Sequence, residues 1–308
     1  MGVFMGKRDW DRVLTSDISP ISRRFDDWLK SHDSPTFQLT SEDFRNVGLK
    51  PADHIPNYRY DTLPDLFKEN GIELLRNQVG GCLLIKQGEY NLPTLFPKLS
   101  SNFFEDNIYD GHPFDQLAKI SVLDIEDLNN EETGVVLGMA TGVFRHFFIN
   151  SVHPSERFTY IGRINSKVGK KKARVKGKIS ILDRSHDVNT SVEGDAYFES
   201  DERIIVLEAK NTHHKRPFKN FSLHQLILPQ LYLRSYTKKP ISCVFMNFSH
   251  VIKLHRLIFL LYHFEISEKN GVMIPHDYDL ISAKKYIIHT DDDIGATITQ
   301  DKENNVKW

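Results

Sequence analysis

The clearest periodicity in the chain lies between residues 131 and 149, where apolar side chains recur three and four positions apart. This spacing predicts an amphipathic helix, and the acidic pair at its start suits the positive end of the helix dipole. A glycine recurs every fourth residue, and because each costs about 1 kcal/mol relative to alanine, close packing against a neighbour is expected. The predicted buried stripe is Val136, Met139, Ala140, Val143 and Phe147, and the glycines are Gly134, Gly138 and Gly142.

β-branched and aromatic residues then concentrate in short runs separated by Gly, Asn, Asp and Lys clusters, which is typical of strands. Residues 221–236 have helical character, with Ser222 as a candidate N-cap and Pro229 as the expected kink. The pattern thus predicts a helix, several strands, a helix and a strand, with further strands up to Ala283. The predicted strands cover residues 158–164, 174–182, 191–200, 203–209 and 241–248.

The first 60 residues are polar and interrupted by prolines, which predicts a small lobe of short helices. A helix over residues 63–70 and strand-like runs at 72–75 and 82–86 follow. We divide the chain into an N-terminal helical or mixed lobe, residues 1–110, and a second domain, residues 111–308. The second domain is expected to be an α/β structure with a mixed sheet flanked by helices.

Composition leaves the class of partner open. The chain carries 40 basic and 41 acidic residues, a formal net charge of -1, which excludes neither nucleic acid nor a small molecule. Cys82 and Cys243 stand in apolar surroundings and are expected to be buried thiols in a reducing compartment. The longest strongly apolar run, residues 257–262, is far shorter than the roughly 20 residues of a membrane span. We therefore expect a cytoplasmic protein with no membrane partner.

Two acids and a lysine stand out in the segment SVEGDAYFESDERIIVLEAKN. Asp195 precedes Glu208 by twelve intervening residues, and Lys210 follows Glu208 by two. Four apolar residues precede Glu208, which favours a buried strand over a solvated helix. On a strand, Glu208 and Lys210 share one face, while the alternate residues point into the core. A short connection after Asp195 would bring both carboxylates to one end of the sheet.

Converging carboxylates are suited to binding Mg2+, which prefers such oxygens and retains several waters. In-line cleavage of a phosphodiester needs this cation to neutralise developing charge and to activate water, which Lys210 would position or deprotonate. A structural salt bridge between Glu208 and Lys210 is the alternative that the residues leave open. Other common catalytic strings do not occur, and the spacing of His213, His214 and His224 does not match zinc fingers.

With these residues the chain resembles the PD-(D/E)xK nuclease superfamily, in which GDAYFE would supply the first acid and VLEAKN the ExK half. The resemblance covers roughly residues 130 to 250, and the predicted element order is similar to that superfamily's αβββαβ core. The runs YIGRINSK, VKGKISI, FSLHQLILPQLY and KKPISCVFMNFS are similar to a group of bacterial type II restriction endonuclease-like proteins. The segment LPDLFKENGIELLRNQVGGCLLIKQGEY resembles that group's lead-in. Gly194 departs from the proline common at this position of the motif.

The resemblance implies Mg2+-dependent cleavage of double-stranded DNA at a specific sequence, leaving a 5' phosphate and a 3' hydroxyl. It implies that Asp195 and Glu208 bind the metal and that Lys210 acts at the attacking water. It also implies a restriction-endonuclease-like αβββαβ core beside a helical N-terminal lobe. DNA recognition is then a candidate role of that lobe.

Further site residues come from the same resemblance. Nucleases of the superfamily often add a helix glutamate, for which Glu131 or Glu132 is the matching position, although an ordinary acidic helix start explains both equally. Gln225 resembles a site-lining glutamine of related nucleases, and a polar helix face would explain it too. Both sets are therefore candidates for the catalytic site.

A basic run lies just ahead of the candidate site and is expected to follow DNA phosphates, unless it is merely a solvated hairpin. It comprises Lys167, Lys170, Lys171, Lys172, Arg174, Lys176 and Lys178. A second group follows the ExK strand and could touch the backbone next to the cut. This group comprises His213, His214, Lys215 and Arg216.

The expected partners are double-stranded DNA, a second copy of the chain and a DNA methyltransferase of the same system. A palindromic target calls for a two-fold dimer because two identical sites must meet antiparallel strands. Two alternatives stay open: a repair or recombination nuclease that recognises DNA structure, and a non-catalytic DNA-binding protein of nuclease descent. A neighbouring methyltransferase gene would favour the restriction enzyme.

Overall fold

The computed structural model describes residues 7–50, 63–97, 99, 131–154, 157–164, 173–211, 221–251 and 256–289. Of these residues, 26% are helical and 44% lie in strands. The helices are α1 (Lys7–Leu14), α2 (Ser22–Lys30), α3 (Ser41–Arg45), α4 (Asp65–Glu69), α5 (Glu131–Ala140), α6 (Val143–Ser151) and α7 (His224–Arg234). The strands are β1 (Thr36–Leu39), β2 (Ile72–Gln78), β3 (Gly81–Lys86), β4 (Thr159–Ile164), β5 (Arg174–Ile181), β6 (Arg184–Ser191), β7 (Gly194–Glu199), β8 (Ile204–Asn211), β9 (Ile241–Val251), β10 (Arg256–Lys269) and β11 (Val272–His289).

All the described strands belong to one mixed sheet in the order β1-β3-β2-β6-β5-β11-β10-β9-β8-β7-β4. Most neighbours are antiparallel, whereas β8 and β9 run parallel over eight residue pairs, from Ile204↔Ile241 to Asn211↔Phe248. The other two parallel contacts join β2 to β6 and β5 to β11 and consist of one residue pair each. The sheet is therefore continuous along its width but narrow at these two junctions.

This architecture shows that the predicted fold class, an αβββαβ core with a helical N-terminal lobe, is wrong. The described residues are mostly β, and the N-terminal part contributes three strands to the same eleven-stranded sheet. The physical reason is that the edges of a small sheet leave backbone groups without partners, and further strands satisfy those groups. The predicted boundary between residues 110 and 111 lies outside the described residues.

Two hydrophobic cores cover the central part of the sheet. One face of β8 contributes Ile204 and Val206 to the larger core, which includes the apolar side of α7. The alternate residues Ile205, Leu207 and Ala209 enter a second core with α5 and α6. The sheet is thus enclosed between α7 on one face and α5 with α6 on the other, and the ends of its strands position the candidate site.

The predicted single helix over residues 131–149 is divided into α5 and α6. Gly142 adopts a left-handed conformation, with φ of 71°, that interrupts the helix. The buried residues of α5 are Gly134, Val135, Leu137 and Gly138, so the expected stripe is wrong at Val136, which is exposed. Val143 and Phe147 of that stripe are buried in α6, as expected. The expected close packing of the glycines is confirmed, because a Cβ on Gly134 would lie 3.0 Å from Phe248.

Other local predictions can be compared directly with the structure. Ser222 does not cap α7, whose N-cap is Leu223, and Pro229 lies inside that helix. Both cysteines are buried free thiols, as expected. In the part of the chain that the structure describes, no helix is long and apolar enough to cross a membrane.

Candidate active site

The candidate site forms where β7 and β8 lie side by side. The antiparallel register places Ala196 opposite Leu207, so Asp195 lies level with Glu208 at the same end of the sheet. The predicted alternation along β8 is confirmed, because Ile205, Leu207 and Ala209 enter the second core while Glu208, on the other face, contacts Gln225 of α7. A hairpin thus brings together two acids that have twelve residues between them in the sequence.

Oxygen atoms surround the ammonium group of Lys210. Its Nζ lies 2.6 Å from Glu208 Oε1 and 2.9 Å from the carbonyl oxygen of Ala209. It also lies 3.1 Å from Glu131 Oε1 and 4.0 Å from Asp195 Oδ2. Three carboxylates from α5, β7 and β8 therefore converge on one cation that belongs to the chain itself.

Hydrogen bonds orient the two central acids. The backbone N–H of Ala209 donates to Asp195 Oδ2 at 2.8 Å. Gln225, in the first turn of α7, donates from Nε2 to Glu208 Oε1 at 2.7 Å. The other amide atom, Gln225 Oε1, is buried and has no hydrogen-bond partner among the described residues. Gln225 thus holds Glu208 and presents a spare acceptor beside it.

The two candidate helix glutamates differ in their contacts. Glu131 contacts Lys210, whereas Glu132 Oε2 pairs with Arg163 on β4 at 2.9 Å. The same guanidinium lies 3.7 Å from Asp195 Oδ1. Sequence reasoning did not select Arg163, because only the pairing of β4 with β7 brings it to Asp195.

Burial and charge act in opposite directions at the centre of the site. Burial raises the pKa of Glu208 to about 8, with Asp195 and Glu131 adding to the effect and Lys210 opposing it. Burial alone would lower the pKa of Lys210, but the neighbouring carboxylates outweigh it and raise that pKa above its ordinary value. The physical cause is the concentration of negative charge around one ammonium group.

Exposure falls from the rim of the site to its centre. The side chains of Glu132 and Glu131 are 65% and 42% exposed, whereas those of Asp195 and Glu208 are 14% and 8% exposed. Lys210 is 15% exposed. Solvent therefore reaches the central groups only in part, and the outer acids form the accessible border.

Most of the predicted DNA-contacting residues fall where the structure gives no description. Lys170, Lys171, Lys172, His213, His214 and Lys215 lie outside the described residues, as do Lys167 and Arg216. Arg174 is described, and it lies exposed at the start of β5. Those contacts stay predictions.

Among the described residues, no group of three or more His, Cys, Asp or Glu side chains is arranged to hold a metal ion. The convergence around Lys210 is therefore an ion-pair cluster in this structure.

Comparison with known proteins adds a family but no activity. No curated protein and no solved structure matches the chain. One protein family, described as a domain of unknown function (DUF6997), matches residues 91–287, a span that contains every described residue of the candidate site. Because this match covers more than half of the sequence, the chain belongs to that DUF6997 family.

Proposed function

We propose that this protein is a Mg2+-dependent nuclease that cleaves double-stranded DNA, and that it acts as a type II restriction endonuclease related to the PD-(D/E)xK superfamily. One observation carries the proposal: Asp195, Glu208 and Glu131 converge on the ammonium of Lys210 at one end of the sheet. A structural salt bridge needs only one carboxylate for each ammonium. Three acids, two of them largely buried, are more than such a bridge requires.

The atoms around Lys210 suit a hard divalent cation. The donors are carboxylate oxygens, the carbonyl oxygen of Ala209 and the buried amide oxygen of Gln225, which lacks a partner among the described residues. Mg2+ prefers oxygen ligands and is commonly held by one or two carboxylates, with water and substrate phosphate completing its shell. Asp195 and Glu208 would hold the ion, and the position of the Lys210 ammonium among these acids supports a site for positive charge.

The other residues of the site would have separate roles in cleavage. When bound, Mg2+ supplies neutralisation of the phosphate and a more acidic water. Lys210 would donate hydrogen bonds to the attacking water and to a phosphate oxygen, which offsets the charge that develops there. Gln225 and the backbone N–H of Ala209 would keep Glu208 and Asp195 in place.

Cleavage of plasmid and phage DNA by the purified protein in Mg2+ tests the proposal. We expect cutting by the wild type, none in EDTA, and a loss of at least about 100-fold in rate for Asp195→Ala and Lys210→Ala. Asp201→Asn and Lys238→Ala are matched controls, because both side chains are exposed and lie outside the cluster. Equal activity of the Asp195→Ala variant and its control would contradict the proposal.

The products separate the related activities. Discrete fragments from a plasmid library support the restriction enzyme, whereas cutting confined to branched or damaged DNA supports a repair nuclease. EDTA-insensitive DNA binding with no cutting in Mg2+ would leave only a DNA-binding role.

A further inference from the structure

The strand β5 carries three cationic side chains on one face. Arg174, Lys176 and Lys178 occupy alternate positions and are exposed. On the other face of β5, Val175 and Ile179 are buried in the larger core. Since side chains alternate across a strand, the three cations form a row that points away from that core. We call Arg174, Lys176 and Lys178 the cationic row.

The position of α7 fixes which face the row occupies. A Cβ on Gly177 would lie 2.8 Å from Leu231 of α7, so the Gly177 face of β5 is the one that α7 covers. The cationic row therefore lies on the opposite face of the sheet. Glu208 faces α7, since Gln225 of that helix contacts it, and three strands separate β5 from β8. The row is thus remote from the candidate site.

The neighbouring strand β6 places polar residues beside the cationic row. In the β5–β6 hairpin, Arg174 lies opposite Ser191, Lys176 opposite Asn189 and Lys178 opposite Asp187. No cation of the row forms an ion pair with a side chain in the described ranges of the chain. This face therefore offers three accessible cations and hydrogen-bonding groups, together with one exposed carboxylate, that of Asp187.

We propose that the cationic row binds the phosphate backbone of duplex DNA at a second contact surface, separate from the cleavage site. Alternate residues of a strand are about 6.8 Å apart, which is close to the separation of successive phosphates along one DNA strand. Serine and asparagine beside the cations add contacts of the kind that fix a backbone without reading sequence. An extended acidic peptide has the same spacing of alternate charges, so competition with poly-glutamate separates the two ligands. The assignment deepens the proposed function but does not require cleavage.

Binding in EDTA isolates this surface from catalysis. The probe is a fluorescent 20-base-pair duplex, measured by anisotropy from 50 to 200 mM NaCl. For the triple variant Arg174→Gln, Lys176→Gln, Lys178→Gln we expect affinity at 100 mM NaCl to fall at least about tenfold. The slope of log affinity against log salt should become shallower by about two to three, since each phosphate contact contributes about 0.9.

A second triple variant removes the same charge elsewhere. Arg23→Gln, Lys30→Gln, Arg45→Gln changes exposed cations of α2 and α3 and should keep wild-type affinity and slope. Equal effects of both triples, or a row variant that binds within twofold of wild type, would overturn the assignment. So would competition by poly-glutamate as strong as that by unlabelled duplex of equal charge. Because binding is measured in EDTA, where the proposed Mg2+-dependent cleavage cannot occur, failure of the cleavage proposal leaves this test valid.

Discussion

Lys210 is the residue on which the candidate site depends, because it neutralises acids that the fold has largely removed from water. The residue types and their spacing were readable in the sequence. The sequence did not predict that Glu131, rather than Glu132, contacts Lys210. Both glutamates begin the same helix, and only the docking of that helix against β8 brings Glu131 to Lys210. Arg163 was not predicted either, because only the pairing of β4 with β7 brings it to Asp195.

Replacing Lys210 should destabilise the protein. Lys210→Met removes the cation and leaves Glu208 and Asp195 facing each other with little solvent, which we expect to cost about 2–4 kcal/mol in the free energy of unfolding. Urea unfolding in EDTA at pH 7 measures the loss. The double variant Glu208→Gln, Lys210→Met should recover at least about 1 kcal/mol, since it also removes the buried carboxyl group that faces Asp195. A double variant less stable than Lys210→Met would contradict this explanation.

The buried imidazole of His224 should make stability depend on pH. Burial lowers the pKa of His224 to about 3, and Arg76 and Lys210 lower it further. In the unfolded chain a histidine titrates near pH 6.5, so below that pH the unfolded state binds a proton at His224 while the folded state stays neutral there. The stability that neutral His224 provides is present above pH 6.5 and is lost as the pH falls toward 3.

Comparison with a variant isolates this effect from other acids. Between pH 7 and pH 5, wild type should lose about 2 kcal/mol more unfolding free energy than His224→Gln. His32→Gln is the matched control, because the His32 side chain is 85% exposed, and it should follow the wild-type pH profile. Parallel profiles for wild type and His224→Gln would show that the buried imidazole does not titrate on unfolding.

At the scale of elements, the close packing of α5 against α6 depends on a glycine. A Cβ on Gly138 would lie 2.5 Å from the ring of Phe144, and that ring is buried against Phe148 and Phe198. Alanine would gain about 1 kcal/mol in helix propensity but would overpack a site whose neighbours cannot move freely. We expect Gly138→Ala to lower the unfolding free energy by about 1–2 kcal/mol.

Thermal and urea unfolding measure this change. Val136→Ala is the control in the same helix, because Val136 is 45% exposed, and its effect should stay within about 0.5 kcal/mol. A Gly138→Ala variant at least as stable as wild type would mean that helix propensity outweighs the contact with Phe144.

The local pattern of apolar and polar residues predicted many of the helices and strands but not all of them. β5, β8 and β9 were predicted because their apolar residues are dense or alternate regularly. β6 was missed, since its sequence RSHDVNTS is polar and only its pairing with β5 makes it a strand. The helix over residues 131–149 was predicted without its break, because the spacing of apolar residues does not reveal the positive φ of Gly142.

At the scale of the whole molecule, one core joins the N-terminal strands to the later ones. The larger core contains Trp10 and Phe25 as well as Val206 and Leu231. We therefore expect a single cooperative unfolding transition. In a Trp308→Phe background, the emission of Trp10 and Trp28 should follow the same urea curve as far-UV circular dichroism. Separate transitions would indicate that the N-terminal strands unfold independently.

Asn77 links β2 to two other strands at the narrow junction of the sheet. It is buried, and its Nδ2 donates to Gln38 Oε1 at 2.8 Å and to the carbonyl oxygen of Asp187 at 3.2 Å. Asn77→Ala leaves these acceptors buried, so we expect a loss of about 1–3 kcal/mol in urea unfolding. Asn46→Ala, at an exposed position, should change stability by less than about 0.5 kcal/mol. Equal stability of the two variants would contradict a linking role for Asn77.

The sequence by itself determined many local properties of this protein: where most of its strands and helices form, which face of β8 is apolar, and that Asp195, Glu208 and Lys210 can share one end of a sheet. These follow from alternation and spacing within a few residues. Tertiary structure alone decided that eleven strands make one sheet, that Glu131, Gln225 and Arg163 surround the cluster, and that the cationic row lies on the far face. Those outcomes depend on pairing between segments far apart in the chain, and the backbone hydrogen bonds that create such pairing carry no side-chain signature.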